Sequence, residues 1–373
     1  MNNNTTKLFY QIALTQINGV GDVLARNLLD EIGDEERIFK SSRKELMSIP
    51  NFSTHLANEI LNPEVLRKAE KELDFITKNN IRTFFYKDQN YPYRLKECID
   101  APILFYYKGN TNLDNTKVIS IVGTRKSNGY GNDFCDRFLE DIASSFPDAL
   151  IVSGLAYGID IQSHKSAIRV GLPTVGVLAH GLDRIYPSVH RQIAINMLDN
   201  GGLLTEFVSM TEPDKYNFVK RNRIVAGLAD ATVVVQSDMK GGSLITADLA
   251  CSYDRDVFAL PGRITDKESG GCNMLIEQNK AVMLLSAEQF IQYMQWDVKN
   301  KVQPRQQELF LDLSPDQQAV YDLLLENDSL HINALSMQSN MPLTSLLPLL
   351  LMMEMKGIIR TLPGNNYELV YKK

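Results

Sequence analysis

The segment VISIVGTRKS, residues 118–127, places an apolar run directly before a glycine and a basic turn. The same order of apolar strand, glycine-containing turn and amphipathic helix recurs between Lys117 and Met294. Near-continuous apolar strands that alternate with helices are typical of a parallel sheet covered on both faces. The predicted strands are VISIV from Val118, ALIVS from Ala149, TVGVLA from Thr174, GLLTEF from Gly202, ATVVVQ from Ala231, VFAL from Val257 and AVMLL from Ala281. We therefore predict an α/β fold with a Rossmann-like, doubly wound, mainly parallel sheet.

Segments of different character flank this region. Residues 1–78 show apolar residues at helical spacing, which predicts a small helical domain before a Rossmann-like domain at 79–296. The polar segment 297–313 lacks periodic apolar residues and predicts a linker. In residues 314–373, Ser314 and the proline after it mark a helix start, and two more helical segments and two strand-like runs follow. That order predicts a winged-helix-like domain.

The composition limits the class of protein. The 373 residues carry a net charge of −6, so binding to nucleic acid would require a locally basic surface on an acidic body. Four cysteines occur without a Cys-x-x-Cys pair, which indicates neither a zinc ribbon nor a disulfide framework and fits a reducing cytosol. The sequence shows no export signal and no run of the ~20 apolar residues that a membrane span needs. We expect a cytoplasmic protein without a membrane partner.

The turns after the predicted strands combine glycine with polar or basic residues. Ligands of an open parallel sheet bind beyond the carboxyl ends of its strands, where glycine allows close approach and helix N-termini attract anions. Arginine suits a phosphate there because its planar group donates two charge-assisted hydrogen bonds. The candidate nucleic-acid-binding residues on these turns are Gly123, Thr124, Arg125, Lys126, Ser127, Ser153, Gly154, His164, Gly241, Gly242 and Ser243. The alternative is that the glycines serve tight turns and close packing, and that His164 is a structural residue.

A basic run lies between these turns, and no acidic residue occurs from Lys215 through Leu228. Positive charge beside an aromatic ring suits a polyanion whose phosphates are neutralised while a base stacks. The candidates in this run are Phe218, Lys220, Arg221, Asn222 and Arg223. The alternative is a solvated charge run with Phe218 in the core.

The stretch Ile17–Gly21 resembles a helix-hairpin-helix, whose glycine-rich hairpin presents backbone amides to a phosphate. Residues 49–53 occupy the place of a second hairpin but lack both glycines, so phosphate contact by the second copy is not expected. A structural or partner-binding role for the pair of hairpins remains open.

No catalytic residue, cofactor or metal site is predicted. The sequence has no P-loop, no complete dinucleotide fingerprint and no HExxH or GxSxG motif, and its histidines are isolated in sequence. An alternative is a nucleotide-processing enzyme of the phosphoribohydrolase type on a related fold. Asp160, Asp183 or Glu206 would then supply its carboxylate.

Several blocks together resemble one family. The blocks IVGTR, SGLAYGID, TVGVLAHGLDRIYP, KRNRIVAGLA, GGSLITADLA and VFALPG followed by GGCNMLI occur between about residues 80 and 295. In this order they are similar to the DNA-processing protein A family, also called DprA or Smf. The flanking modules resemble that family's sterile-alpha-motif-like domain and its winged helix.

The resemblance implies an extended Rossmann fold that binds single-stranded DNA without strong sequence preference. It also implies a homodimer that protects incoming DNA and promotes loading of the RecA recombinase in natural transformation and homologous recombination. The implied phosphate-binding positions are Gly123, Arg125, the Ser153-Gly154 turn, Arg221, Arg223 and the Gly241-Gly242-Ser243 turn.

This chain departs from the family pattern at two places and has an acidic tail. Phe218-Val219-Lys220 stands where the family commonly has Phe-Pro before Arg-Asn-Arg, and Gly241-Gly242-Ser243 replaces Ser-Gly-Ser. No positive charge is lost, so we expect shifted loops and retained binding. Residues 314–373 hold six acidic and four basic residues, so a protein-interaction role for this domain remains open beside DNA binding.

Overall fold

The structure is a computed structural model, and it divides the chain into two compact units, residues 1–298 and 299–373. The residues that it describes are 3–49, 52–296, 313–327, 329–356, 358–362 and 364–369. The predicted linker at 297–313 lies outside the described residues except for Leu313. Among the described helices, none is long and apolar enough to cross a bilayer.

Short helices form the beginning of the first unit. They are α1 (Asn3–Thr15), α2 (Asp22–Ile32), α3 (Glu35–Lys40), α4 (Arg43–Leu46), α5 (Thr54–Ile60) and α6 (Pro63–Lys78). Local sequence fixes several of their starts: the Asp34 carboxylate accepts from the Arg37 N–H, and Ser42 and Glu45 form a capping box. The apolar faces of these helices pack around residues such as Ile12.

A nine-stranded sheet follows in the described part of the first unit. Its strands are β1 (Arg82–Phe85), β2 (Leu104–Gly109), β3 (Val118–Val122), β4 (Leu150–Ser153), β5 (Thr174–Val177), β6 (Gly201–Thr205), β7 (Ala231–Val234), β8 (Asp256–Ala259) and β9 (Val282–Met283). The spatial order is β1-β2-β6-β5-β4-β3-β7-β8-β9. Strands β3 to β9 pair in parallel, whereas β2 is antiparallel to both β1 and β6. The predicted mainly parallel α/β sheet is confirmed.

Helices cover both faces of this sheet. They are α7 (Tyr93–Lys96), α8 (Gly129–Ser145), α9 (Ile159–Val170), α10 (Arg191–Asn196), α11 (Lys215–Gly227), α12 (Gly242–Ser252), α13 (Gly270–Glu277) and α14 (Ala287–Tyr293), with 3₁₀ turns at Ser188–His190 and Lys267–Ser269. Successive residues of a strand point to opposite faces. Accordingly, Ile121 packs with Phe138 and Phe258 on one face, while Val122 packs with Ile224 on the other. Both cores are apolar because both faces are covered.

The strand order reverses direction at β3. The chain builds β4, β5 and β6 on one side of β3 and then returns to place β7, β8 and β9 on its other side. In an open parallel sheet, the loops that leave such neighbouring strands diverge and open a crevice at the carboxyl edge. The turns after β3 and β7 therefore flank the expected ligand crevice.

A buried ion pair holds the opposite, amino edge together. The Arg94 guanidinium donates from Nε and Nη2 to the two carboxylate oxygens of Asp230, at 2.6 and 3.0 Å. One of those oxygens also accepts from the Val118 N–H at 2.8 Å. Because β3 begins at Val118 and Asp230 lies directly before β7, this cluster ties α7 to the two central strands.

The second unit is a winged helix. Its elements are α15 (Pro315–Glu326), β10 (Leu330–His331), α16 (Ile332–Ser339), α17 (Leu343–Met355), β11 (Ile359–Leu362) and β12 (Asn366–Leu369). Ser314 and Gln317 form a capping box at the start of α15, where the sequence predicts a helix start. The predicted order of helices and hairpin is confirmed. The two-residue strand β10, which pairs with β12, was not predicted from the sequence.

Candidate nucleic-acid interface

Loops from four parallel strands meet at the carboxyl edge of the sheet. The Thr124 N–H, after β3, donates to the Gln236 carbonyl, after β7, at 2.7 Å. The Ile159 N–H, at the start of α9, donates to the Thr124 carbonyl at 3.2 Å. The guanidinium of Arg221 on α11 donates to the carbonyls of Gly154, after β4, and Val177, at the end of β5. The predicted glycine turns are thus joined into one surface.

Two glycines permit this close approach. Gly158 has a φ of +76°, and a Cβ there would collide with the backbone of Thr124 and Arg125. A Cβ at Gly154 would collide with the guanidinium of Arg221. Packing alone therefore accounts for both glycines, as the structural alternative proposes, and the same packing brings the anion-binding candidates together.

Arg125 and Lys126 are exposed cations of this surface. Both side chains project from the loop between β3 and α8. Within the part of the chain that the structure describes, neither forms an ion pair with a carboxylate within 4.0 Å. The Arg125 guanidinium carbon lies 5.1 Å from the centroid of the Phe218 ring. Free positive charge and a half-buried aromatic ring therefore lie side by side, as the sequence analysis predicts for a polyanion site.

Arg221 is buried under this surface. Its side chain contacts the Phe218 ring, with 5.9 Å between guanidinium carbon and ring centroid. It interacts electrostatically with Asp160, also buried, whose pKa is raised by burial and lowered in part by the charge of Arg221. Arg221 thus anchors α11, and its N–H donors point into the protein. Its charge adds positive potential to the surface above it.

Arg223 and Lys220 belong to an ion-pair cluster with the start of α2. The Arg223 Nη2 lies 2.5 Å from a Glu206 carboxylate oxygen and 3.0 Å from one of Asp22. The Lys220 Nζ lies 2.7 Å from the same Glu206 oxygen. Asp22 also accepts from the Ile103 N–H at 2.9 Å. Two of the four polar residues predicted at 220–223 therefore have their charge balanced within the protein.

This cluster bears on the helix-hairpin-helix resemblance. Gly19 adopts a φ of +79°, and Gly21 precedes α2 without a side-chain cap, as a phosphate-binding hairpin requires. However, the first residue of α2 is Asp22, and Glu206 lies beside it. Two carboxylates at the start of α2 repel a phosphate, so they disfavour phosphate binding there. They favour the structural role, in which the hairpin holds α11 in place through ion pairs.

His164 and Ser153 lie inside the protein. Ser153 donates to the Ile121 carbonyl at 2.6 Å, and Thr174 donates to the Ile151 carbonyl at 3.1 Å. Since the Thr174 proton is committed, its oxygen accepts from His164 Nδ1 at 2.7 Å, and the ring carries its proton on Nδ1. Burial lowers the pKa of His164 to about 3, so the ring is neutral at pH 7. Ser153 supports the carboxyl end of β4, whereas His164 contacts the first residue of β5, at the amino edge of the sheet.

The remaining candidates surround the start of α12. Gly242 is exposed, and Ser243 is buried with its hydroxyl 2.8 Å from that of Ser237. Asn222 Nδ2 lies 3.5 Å from the Gly242 carbonyl, which links α11 to this turn. Gly123 and Ser127 are half-buried in the β3–α8 loop. The structure therefore groups these residues along the β3–β7 crevice.

Two exposed tyrosines of this surface were missed in the sequence analysis. Tyr157 follows β4 and Tyr186 follows β5, and each exposes about half of its side chain. Tyr186 stands in the quoted motif TVGVLAHGLDRIYP, but the motif served only as a family signature. An aromatic residue soon after a parallel strand is the signal that could have identified both.

The carboxylates nominated for an enzyme are engaged elsewhere. Asp160 accepts from the Ala156 N–H at 3.4 Å and lies buried. Asp183 pairs with Arg184 at 2.9 Å and accepts from the Met210 N–H at 2.8 Å. Glu206 belongs to the cluster with Asp22. Each of the three carboxylates therefore has a structural role, and no observation favours the phosphoribohydrolase alternative.

The buried, neutral His164 predicts a pH dependence of stability. Its pKa is about 3 in the folded chain against an ordinary 6.5, so between these values the unfolded chain binds a proton that the folded chain does not. The free energy of unfolding must then fall as the pH falls through this window, by up to about 1.4 kcal/mol per pH unit. We expect His164→Asn to flatten this decline in urea denaturation series at several pH values.

The exposed His55 on α5 supplies the matched control, because His55→Asn should leave the decline unchanged. A His164→Asn chain that loses stability toward low pH as steeply as the unsubstituted chain would refute the neutral assignment.

The chain was compared with known protein families and with curated relatives. A model of the DNA recombination-mediator protein A family matches residues 82–295, and a model of the DprA winged helix domain matches residues 304–365. DNA processing protein DprA of Bacillus subtilis is 38% identical over 234 residues, which cover 62% of this chain and 77% of that protein. Protein Smf of Escherichia coli is 31% identical over 317 residues, which cover 80% of this chain and 83% of that protein.

Solved structures give the same result. DNA processing protein A of Streptococcus pneumoniae is similar with a TM-score of 0.66 and 29% identity, over 76% of this chain and 97% of that chain. DNA processing protein A of Helicobacter pylori is similar with a TM-score of 0.52 and 30% identity, over 58% of this chain and 95% of that chain. That structure describes a single-stranded DNA binding mode of the Helicobacter pylori protein. Because the matched residues include the whole parallel sheet and its loops, we conclude that this chain belongs to the DNA recombination-mediator protein A family, also called DprA or Smf, a family of DNA-processing proteins.

Proposed function

We propose that this chain binds single-stranded DNA along the carboxyl edge of its parallel sheet, without strong sequence preference and without catalysis. The observation that carries this proposal is the position of Arg125 and Lys126: exposed, free of carboxylate partners among the described residues, and beside Phe218. The binding mode described for the Helicobacter pylori relative supports it.

The chemistry of the surface suits a single strand. Arg125 can donate two hydrogen bonds to a phosphate, and Lys126 adds a point charge. Phe218 offers an aromatic face to a base, and stacking tolerates any sequence because every base has a π-face. Backbone amides at the start of α12 add donors at the crevice, since its N-cap Gly241 supplies no side-chain bond.

The buried cations have a different role in this proposal. Arg221 and Arg223 position α11, and Ser153 supports the carboxyl end of β4, so these three act through the residues above them. His164 instead holds the first residue of β5 at the amino edge. The exposed side chains then make the contacts with DNA. We also propose the domain boundaries 1–78, 79–296 and 314–373, with the linker at 297–313 between the last two.

We further propose that the bound chain protects incoming DNA and promotes RecA loading in natural transformation and homologous recombination. It would act in the cytoplasm as a homodimer. Membership of the family supports this role. Exposed apolar side chains near the β9 edge of the sheet, Met283, Leu285 and Tyr293, offer a face that a second copy could cover.

The winged helix has a surface suited to a protein partner. On α17, every fourth residue from position 343 to 355 is apolar and exposed: Leu343, Leu347, Leu351 and Met355. A recognition helix that reads DNA presents polar or basic side chains to the groove. We therefore propose that this apolar stripe, the four residues named above, contacts protein during recombinase loading.

Replacing the free arginine tests the DNA site. We expect Arg125→Ala to weaken binding of unrelated single-stranded oligonucleotides by a similar factor, roughly tenfold, because a charged phosphate contact is lost. The slope of log affinity against log salt should become shallower by about 0.7, the value for one phosphate of a single strand. Fluorescence anisotropy titrations at several salt concentrations measure both quantities.

Arg169→Ala is the matched control for that substitution. Arg169 is half-exposed near the C-terminal end of α9, on the amino side of the sheet, and should leave both affinity and salt slope unchanged. Equal behaviour of the two variants would refute the placement of the site.

Charging the apolar stripe tests the role of the winged helix. We expect the full chain with Leu347→Glu and Leu351→Glu to keep its affinity for single-stranded DNA but to stimulate RecA loading less, because a charged helix face cannot pack against an apolar partner. Thr344→Glu adds charge to the same helix outside the stripe and should keep the stimulation. Reduced DNA affinity, or unchanged RecA loading, in the double variant would contradict this assignment.

A further inference from the structure

We propose that Tyr186, in the loop after β5, is a nucleobase-stacking residue that forms an aromatic platform with Phe218. This inference rests on the proposed function and deepens it, because it says where the bases lie once the phosphates bind Arg125. The ligand of Tyr186 is then a nucleobase of any type, and the contact is face-to-face stacking.

The fold places Tyr186 at the same edge as the free cations. Its loop leaves the carboxyl end of β5, and the backbone of this loop is fixed locally. His180 Nδ1 lies 2.9 Å from the Gly181 carbonyl and must donate to it, so His180 Nε2 is free to accept from the Tyr186 N–H at 3.2 Å. Burial lowers the pKa of His180, which favours this neutral form. The tyrosine is therefore held by its backbone.

No hydrogen bond of its hydroxyl to another described residue accounts for the exposure of the Tyr186 side chain. It is 46% exposed, and its hydroxyl makes no hydrogen bond within the described residues. The hydroxyls of Tyr91, Tyr107 and Tyr130 donate to the Pro102, Gly201 and Pro261 carbonyls, whereas that of Tyr157, which is exposed at the same edge, has no partner among the described residues either. An amphipathic ring that offers its body to solvent is characteristic of a binding surface.

Ring and charge form a row on this surface. The Arg125 guanidinium carbon lies 5.1 Å from the Phe218 ring centroid, which lies 6.0 Å from that of Tyr186. The two ring planes are inclined by 56°, so they cannot hold one base between parallel faces. Each ring instead offers its own face. A strand whose phosphate draws the Arg125 guanidinium away from the Phe218 ring can lay one base on Phe218 and a neighbouring base on Tyr186.

The acidic residue in the loop that carries Tyr186 is ion-paired within the protein, and its partner Arg184 also lies 3.4 Å from Glu212. Asp183, in the same loop, is neutralised by Arg184 at 2.9 Å, and its other oxygen accepts from the Met210 N–H. Stacking on such a ring depends on the π-face of the base and not on its hydrogen-bonding edge. The platform therefore suits a protein that accepts any sequence.

The test separates stacking from a merely structural role. Anisotropy titrations would use the full chain with an oligothymidine and with an oligomer of equal length whose sugars carry no bases. We expect Tyr186→Leu, which keeps an apolar side chain but removes the flat ring, to weaken oligothymidine binding roughly tenfold and to leave the base-free oligomer within about twofold. Tyr186→Phe should bind both like the unsubstituted chain.

Two further variants complete the experiment. Arg125→Ala should weaken both oligomers, because it removes a phosphate contact. Tyr93→Leu, on a tyrosine that is 50% exposed at the amino edge, should change neither. An equal loss of both oligomers in Tyr186→Leu, or no loss of oligothymidine, would overturn the platform while leaving the DNA site standing. A failure of the unsubstituted chain to bind oligothymidine would instead refute the proposed function itself.

Discussion

The guanidinium of Arg221 is the contact on which the candidate interface depends. From α11 it donates to the carbonyl of Gly154 and, at 2.5 Å, to that of Val177, so one buried side chain joins a helix to the ends of β4 and β5. Residue 154 must be glycine because a Cβ there would collide with this guanidinium. A buried charge is costly to leave unpaired, and hydrogen bonds to carbonyls together with nearby Asp160 compensate it. This arrangement fixes the position of Phe218, one turn earlier on the same helix.

The fixed helix explains how an acidic protein can present a basic site. The cations of residues 220–223 are balanced inside the protein, Lys220 and Arg223 by Glu206 and Asp22. Charge that is free for a polyanion therefore lies in the β3–α8 loop at Arg125 and Lys126, and at Lys240 beside the start of α12. A small basic patch of this kind attracts phosphates locally. The net charge of −6 disfavours non-specific binding of nucleic acid to the rest of the protein surface.

The sequence predicted those parts of the molecule that local patterns determine. Near-continuous apolar runs between glycine turns predicted β3 to β9, and parallel pairing then required their carboxyl ends to share one edge. The burial of Arg223 could not be predicted, because its partners Asp22 and Glu206 come from distant parts of the chain. Tyr186 was missed for a related reason: the 6.0 Å between its ring centroid and that of Phe218 follows from the tertiary fold and not from a local pattern.

The central claim is that single-stranded DNA lies along the carboxyl edge of the sheet, and amide hydrogen exchange with and without an oligonucleotide tests it most directly. The account predicts that bound DNA slows exchange in the loops after β3, β4, β5 and β7 and at the start of α11. The amino-edge segments before β3, β4 and β5 should exchange as before. Protection confined to the amino edge, or to the winged helix, would contradict it.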